Sequence, residues 1–405
     1  MTADNGVTIS RPEDILGFIP HALGLWPKES LVAMTLRGQT LGATLRVDLP
    51  GERSDQALAA YARRIGGYLE ADHGADGVLL AFFSDDGWDA GVAVPHGLAI
   101  LEALEPVLAQ GGLALRDAWF IGSEYWRSAF CTDADCCPHP GRPVDQIRDS
   151  RLNAEMVFRG SNVMESPRLL GPDDQAVVDP EFIRREDGIL AELLRRWRSR
   201  KAFEDLLDVW TGVLDSDRPR DFDCEAAAFL RASLRVPSWR DAVVVLAVAG
   251  RTVACGGAEA FGLFEQEEDE QGALAVPPSL ASPAPAARKR TPATDVSASS
   301  YGEVFLGLYP QNPDWKRLTR LDQVLAMLSR HGGGEARAAS LTIRGWVQWC
   351  RGSGSFAHAL LSQAESEQSG YRLAELLAEV VRRGSICGWA KSESSAWRKF
   401  GGAVA

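Results

Sequence analysis

The densest group of chemically capable side chains is the run Cys131-Thr132-Asp133-Ala134-Asp135-Cys136-Cys137-Pro138-His139, which puts four soft donors within nine residues. Thiolates together with an imidazole are the ligands zinc prefers. The spacing argues against a closed structural site, because such sites draw two pairs of ligands from separate segments. Here a second pair is missing, and the adjacent Cys136 and Cys137 are expected to point in different directions. Redox chemistry is the second possibility, since neighbouring thiols can form a disulfide and His139 can lower a thiolate pKa, although no C-x-x-C precedes a helix. The plainer alternative is that Cys131 packs as a small apolar residue at a strand end while the loop 136–143 is held by a structural thiol or disulfide. That alternative is favoured, so no metal and no cofactor are expected. Cys131, Cys136 and Cys137 stay candidates for a ligand or redox site, with His139 as a weak fourth metal donor.

Two further groups carry charge in a suggestive pattern. Arg46 and Asp48 lie two apart on an expected strand and therefore share a face, where they can hold a substrate or each other; an exposed ion pair is the commoner outcome. The run Arg195-Arg196-Trp197-Arg198-Ser199-Arg200-Lys201 mixes cations with an aromatic, the ingredients of phosphate contact and base stacking. Trp197, however, continues the apolar stripe of Ile189, Leu190, Leu193 and Leu194. That phase turns the arginines to solvent near a helix C-terminus, where the dipole favours positive charge without any ligand. His331-Gly332-Gly333-Gly334 resembles an esterase oxyanion segment, but the chain has no G-x-S-x-G elbow, so a helix end and a turn are expected. Phosphate-loop, dinucleotide-binding and H-E-x-x-H signatures are missing too. His21, His73, His96 and His358 are scattered and receive no role.

The elements that must position these residues follow from periodicity. Residues 30–37 and 40–49 read as a hairpin about Gly38-Gln39, residues 54–72 as a helix, and 76–84 as a strand buried on both faces. A helix at 96–110 and strands at 113–122 and 125–131 complete a ββαβαββ order, an α/β domain with a mixed sheet spanning residues 1–165. From about residue 145 the pattern turns helical, giving a helical region at 166–264. Residues 265–300 pass from an acidic run into a Pro/Ala/Ser-rich stretch that cannot bury a core of its own, the composition of a flexible linker. Residues 301–405 read as an all-α module of helical hairpins. In it Gly352, Ala357, Leu361 and Ala364 stand where a tetratricopeptide repeat places its turn glycine and packing residues.

An apolar fraction of 45% with 24% charge belongs to a folded globular chain rather than a disordered one. The formal net charge of −12 works against non-specific attraction to phosphate backbones or anionic lipid. The most apolar stretch, residues 242–250, is far shorter than the roughly 20 residues of a membrane-spanning helix. Residues 1–10 lack the pattern of a secretory leader. A cytoplasmic protein without a membrane partner is expected.

Pro20, Leu23-Gly24-Leu25-Trp26-Pro27, Ser30-Leu31-Val32, Arg46-Val47-Asp48-Leu49-Pro50 and the Cys131 to Gly141 run together resemble the actinobacterial domain of unknown function DUF4192. The likeness continues through Trp346 to Trp349, Gly352 to Ala359 and Tyr371 to Leu377. Leu25 departs from it, standing where the family is expected to carry phenylalanine, as do Ala129-Phe130, which replace an expected Tyr-Leu before Cys131, and the acidic, Pro-rich insert. The resemblance implies a bacterial cytoplasmic setting and supplies no reaction. With the catalytic signatures missing, the expectation is a non-catalytic protein-interaction or regulatory protein whose partner is another protein. The alternatives are an enzyme or a small-ligand or metal-binding protein with a site near Arg46, Asp48 and the Cys131 to Cys137 loop, and nucleic-acid binding through Arg195 to Lys201.

Overall fold

Three segments of the N-terminal part alternate their side chains between two apolar faces, which is the demand of a central sheet covered by helices on both sides. In the computed structural model, β1 (Thr2–Ala3), β2 (Val7–Thr8), α1 (Pro12–Leu23), β3 (Ser30–Arg37) and β4 (Thr40–Asp48) are followed by α2 (Asp55–Leu69) and β5 (Gly77–Phe83). Then come α3 (Ala93–Gln110), β6 (Ala114–Ile121), β7 (Tyr125–Ser128), β8 (Arg142–Pro143), α4 (Asp145–Arg148) and α5 (Arg151–Phe158). The structure describes residues 2–3, 7–8, 11–85, 93–164, 177–216, 221–264, 273–281, 299–392 and 394–398. The chain divides into two units, Met1–Pro167 with Arg398–Ala405, and Arg168–Trp397.

The first unit is built on a mixed sheet in the order β2-β1-β4-β3-β5-β6-β7-β8. β3 pairs antiparallel with both β4 and β5, β5 runs parallel to β6, and β6, β7 and β8 are antiparallel. Gly38, at φ +60, makes the turn of the β3–β4 hairpin. Val32, Met34, Leu79, Ala81, Phe83, Trp119 and Ile121 face α1, α4 and α5, through Leu16, Ile19, Ile147, Leu152 and Met156. Their neighbours Leu31, Ala33, Val78, Leu80, Phe82, Ala118 and Phe120 face α2 and α3. The period of two thus divides one sheet between two cores. Helix α1 is an addition to the elements expected from periodicity. Pro12 stands in its first turn, where the missing N–H costs nothing, and Gly24 at φ 81 ends it.

The second unit is helical. It contains α6 (Pro180–Arg196), α7 (Arg200–Leu214), α8 (Cys224–Leu234), α9 (Pro237–Ala249), α10 (Arg251–Ala260), α11 (Ser299–Phe305), α12 (Trp315–Leu328), α13 (Gly334–Cys350), α14 (Gly354–Glu367) and α15 (Arg372–Arg382). The apolar stretch at 242–250 is explained by α9, whose Ala242 to Val248 are buried on every side. Gly345 of α13 lets α14 approach so closely that a Cβ there would lie 2.9 Å from Leu361 Cγ. Gly352, at φ +78, turns the chain between these two helices.

One continuous core includes side chains from both before and after residues 265–300, for example Trp210, Trp239, Leu325 and Trp346. The two helical stretches therefore form one unit instead of separate modules. Of the expected linker, residues 265–272 and 282–298 lie outside the described residues. Residues 273–281 are packed: Leu274 and Leu280 are buried, Leu274 N–H donates to Asp205 at 3.1 Å, and Arg196 donates to the Ala273 carbonyl at 2.9 Å. Composition showed that this segment lacks a core of its own, but two leucines can join the core of neighbouring helices.

A buried charge braces the same unit. Arg231 on α8 is fully buried and donates from Nε to Glu186 of α6 at 2.6 Å. It also donates from its two Nη atoms to the carbonyls of Leu328 and Gly333, each at 3.0 Å. Glu186 accepts a further bond from Arg235 at 3.2 Å. One guanidinium thereby satisfies carbonyls left over at the end of α12 and just before α13.

Candidate functional site

The cysteine run occupies the loop that leaves β7 at Ser128 and returns in β8 at Arg142. Both ends are pinned: Ala129 N–H donates to the Ala118 carbonyl at 2.8 Å, and Trp126 and Arg142 are paired across β7 and β8. Gly141 is required at the return, since a Cβ there would sit 2.7 Å from the Trp126 carbonyl oxygen. Within the loop the Asp133 carboxylate accepts from the Asp135 N–H at 2.9 Å, and the Asp133 carbonyl accepts from the Cys137 N–H at 2.7 Å. This single helical turn curls the backbone between the first cysteine and the other two.

The consequence is that the sulfurs of Cys131, Cys136 and Cys137 all lie within 4.8 Å of one another. Divergence of the adjacent Cys136 and Cys137 was the expectation from spacing alone. The turn closed by the Asp133 carbonyl overrides it by bringing both to the same side as Cys131. Cys137 is buried, Cys131 half-buried and Cys136 exposed. Arg142 spans the group, donating from Nε to the Cys136 carbonyl at 2.7 Å and from Nη2 to the Cys136 sulfur at 3.4 Å, with its guanidinium 5.4 Å from the centre of the Trp126 ring. The Cys131 thiol is held below its ordinary pKa, first by the Asp133 N–H and then by the Cys137 and Cys136 thiols. Cys136 is raised, chiefly because it shares a hydrogen bond and charge with Cys131. Such a cluster can ligate a soft cation or act as a nucleophile. His139 is exposed and stands outside the sulfur group.

Arg46 and Asp48 form an ion pair at 2.9 Å on β4, with Arg46 also reaching the Lys28 carbonyl at 3.3 Å. Strands β3, β5 and β6 separate β4 from β7. At a strand spacing of about 4.8 Å that is roughly 19 Å, so the pair and the thiols do not line one pocket.

In the basic run, Arg195 pairs with Glu192, Arg200 with Glu259 and Lys201 with Asp205. Arg198 lies 4.7 Å from the centre of the Trp197 ring, and Arg196 holds the Ala273 carbonyl. These cations are engaged within the unit. The segment His331 to Gly334 wraps the end of α12: His331 stacks on Phe182 at 5.6 Å, and the Gly332 N–H donates to the Val177 carbonyl at 2.9 Å. His21 is buried with its ring nitrogens 2.9 Å from the Ser161 hydroxyl and 2.7 Å from the Asn153 amide oxygen, a structural role.

A second candidate surface was not foreseen. Between α11 and α12, Leu306 and Leu308 are 52% and 62% exposed, and Tyr309 is exposed as well. The corner is held from beneath. Trp346 Nε1 donates to the Phe305 carbonyl at 2.9 Å, Trp389 Nε1 to the Pro310 carbonyl at 2.7 Å, and Gly388 N–H to the Leu306 carbonyl at 3.3 Å. The sequence signal available was the apolar Val304-Phe305-Leu306-Gly307-Leu308-Tyr309 run, too long for the single buried stripe of a short helix.

The family described as a domain of unknown function, DUF4192, matches residues 12–256 and 316–385, most of the chain. The chain belongs to the DUF4192 family. No curated protein and no solved structure matches it. In this DUF4192 chain the thiol loop and the Arg231 brace lie inside the matched residues, whereas the Leu306 to Tyr309 corner lies between the two matched segments. Among the described residues, no helix is long and apolar enough to cross a membrane.

Proposed function

We propose that this DUF4192 chain is a cytoplasmic, non-catalytic protein-interaction or regulatory protein that engages another protein through its helical unit. The observation that carries the reading is the apolar corner Leu306, Leu308 and Tyr309, exposed yet fixed from below by Trp346 and Trp389. Exposed apolar side chains on a mobile loop are ordinary, but contiguous ones on a preformed frame are the usual anchors of an interface. Each fully covered leucine contributes about 1.5–3 kcal/mol to association. The α13–α14 hairpin supports the same reading. Its turn glycine Gly352 and the buried Ala357, Leu361 and Ala364 resemble the hairpin of a tetratricopeptide repeat, a scaffold that presents surfaces to other proteins. The intramolecular pairing of Arg195, Arg200 and Lys201 favours a protein partner over nucleic acid.

The experiment is chemical crosslinking and co-purification with the full chain and its Leu308→Asp variant, both expressed in the source cell. A partner that crosslinks near residue 308 and is lost from the variant, whose circular dichroism is unchanged, supports the reading. An identical captured set from both proteins sinks it.

A further inference from the structure

Three sulfurs grouped on one pinned loop make a recognisable donor set. A metal–sulfur bond of about 2.3 Å with tetrahedral angles places sulfurs roughly 3.8 Å apart. In this chain the sulfurs of Cys131, Cys136 and Cys137 already lie within 4.8 Å of one another. Closing that remainder takes only small side-chain rotations, because the backbone of the loop is held by Ala129, Cys137, Gly141 and Arg142. The positions of the sulfurs are therefore set by the loop and its anchors on the neighbouring strands, which supply the three protein ligands of an open site rather than the four of a closed one.

We propose that the loop between β7 and β8 is a metal site, in which the sulfurs of Cys131, Cys136 and Cys137 bind one thiophilic cation of the zinc class. Each thiol releases its proton to solvent as its sulfur–metal bond forms. Thiolate donors select zinc or copper(I) over magnesium, calcium and manganese, which prefer oxygen. Three thiolates around a divalent ion leave one net negative charge. The Arg142 guanidinium, 3.4 Å from the Cys136 sulfur, is placed to balance it. Among the described residues no fourth cysteine, histidine or carboxylate joins the group. Structural zinc sites are closed by four protein ligands, whereas sites with three leave a position for water or an incoming group. Cys136 is exposed, so that position faces solvent and an exchangeable ligand. The site belongs to the α/β unit and is independent of any partner at the Leu306 to Tyr309 corner.

The test is titration of the full reduced chain, freed of metal by a chelator, with cobalt(II) as a spectroscopic stand-in for zinc. The expected result is a sulfur-to-cobalt charge-transfer band that saturates at one equivalent and is displaced by zinc. Cys136→Ser is the main variant, because Cys136 is exposed and its replacement leaves folding intact; Cys131→Ser is the second. Each is expected to weaken binding by more than about 100-fold, while Arg142→Gln, which removes the counter-charge and one anchor of the loop but no ligand, weakens it about 10- to 100-fold. Cys224→Ser, an exposed thiol outside the loop, leaves the titration unchanged. A parallel competition with copper(I) separates the two ions: displacement of cobalt by copper(I) but not by zinc assigns the site to the monovalent ion. Absence of a thiolate band in the reduced chain overturns the proposal, as does a band that persists unchanged in both Cys136→Ser and Cys131→Ser. A loop disulfide that survives reduction overturns it as well.

Discussion

Replacing Glu186 by leucine would leave Arg231 buried without its counter-ion, and the size of the effect follows from the contacts. The guanidinium is fully buried, with two of its bonds going to the neutral carbonyls of Leu328 and Gly333 and, among the described residues, only Glu186 supplying opposite charge at hydrogen-bond distance. Its pKa is lowered, first by burial, with Glu186 opposing, so burial penalises the charge and the carboxylate offsets part of that penalty. Removing one member of a buried pair costs about 3–5 kcal/mol. With a urea m-value of about 3 kcal/mol per molar, the upper end for a unit of this size, the unfolding midpoint of the helical unit falls by about 1–1.7 M. The assay is urea unfolding followed by tryptophan fluorescence, since Trp210 and Trp239 are buried in that unit's core. Arg235→Ala is the comparison. Arg235 is partly exposed and shares Glu186, Asp187 and Glu335, so its loss is expected to cost about 1 kcal/mol or less. The pair replacement Glu186→Leu with Arg231→Met should recover only part of the loss, because two apolar groups replace two desolvated charges while the Leu328 and Gly333 carbonyls lose their donor. A Glu186→Leu midpoint shift no larger than that of Arg235→Ala would refute the reasoning, showing that Arg231 is compensated by something other than Glu186.

Leu308→Asp should change stability by less than about 0.5 kcal/mol, since the side chain is mostly exposed; a larger loss in the same urea assay would mean that the corner is part of the core. Gly345→Ala should destabilise the helical unit by about 1–3 kcal/mol, because its Cβ would meet Leu361 and push α14 off α13; thermal unfolding that is unchanged would refute the close crossing. His331 is held below its ordinary pKa, first by burial and then by Arg231 and Arg330. The unfolded chain therefore binds the extra proton first, so this residue's contribution weakens as pH falls below about 6.5. His331→Asn should show a smaller drop in urea midpoint between about pH 7.5 and pH 5.5 than the parent chain, and an equal drop would remove His331 as the cause.

Much of the α/β unit was legible because strand periodicity is a local code. The run at 76–84 is uninterrupted since β5 is covered on both faces, and the hairpin of β3 and β4 turns at Gly38, where φ is positive. Helix α1 is hard to read from sequence because Pro12 and Pro20 obscure an apolar stripe, Ile15, Leu16 and Ile19, that packs under the sheet. Arg231 leaves a trace in the sequence: it is the one charged residue in a run of alanine, phenylalanine and leucine with a single serine, from Ala226 to Leu234, that is buried throughout. A charge on a helix face that is otherwise buried and almost wholly apolar demands a partner, although nothing nearby in sequence names Glu186.

What the sequence by itself determined is the set of local regularities: alternation in the strands, apolar stripes in the helices, the all-round burial of α9 and membership of the DUF4192 family. Only the tertiary structure decided that Arg46 and Asp48 lie several strands from the thiol loop. It likewise decided that the helices on both sides of residues 265–300 share one core, and that Cys136 and Cys137 turn toward Cys131. The physical reason is one of range. Periodicity reports which face of an element is apolar, whereas convergence of side chains depends on strand order and on backbone torsions in turns such as the one at Asp133, which residue spacing does not encode.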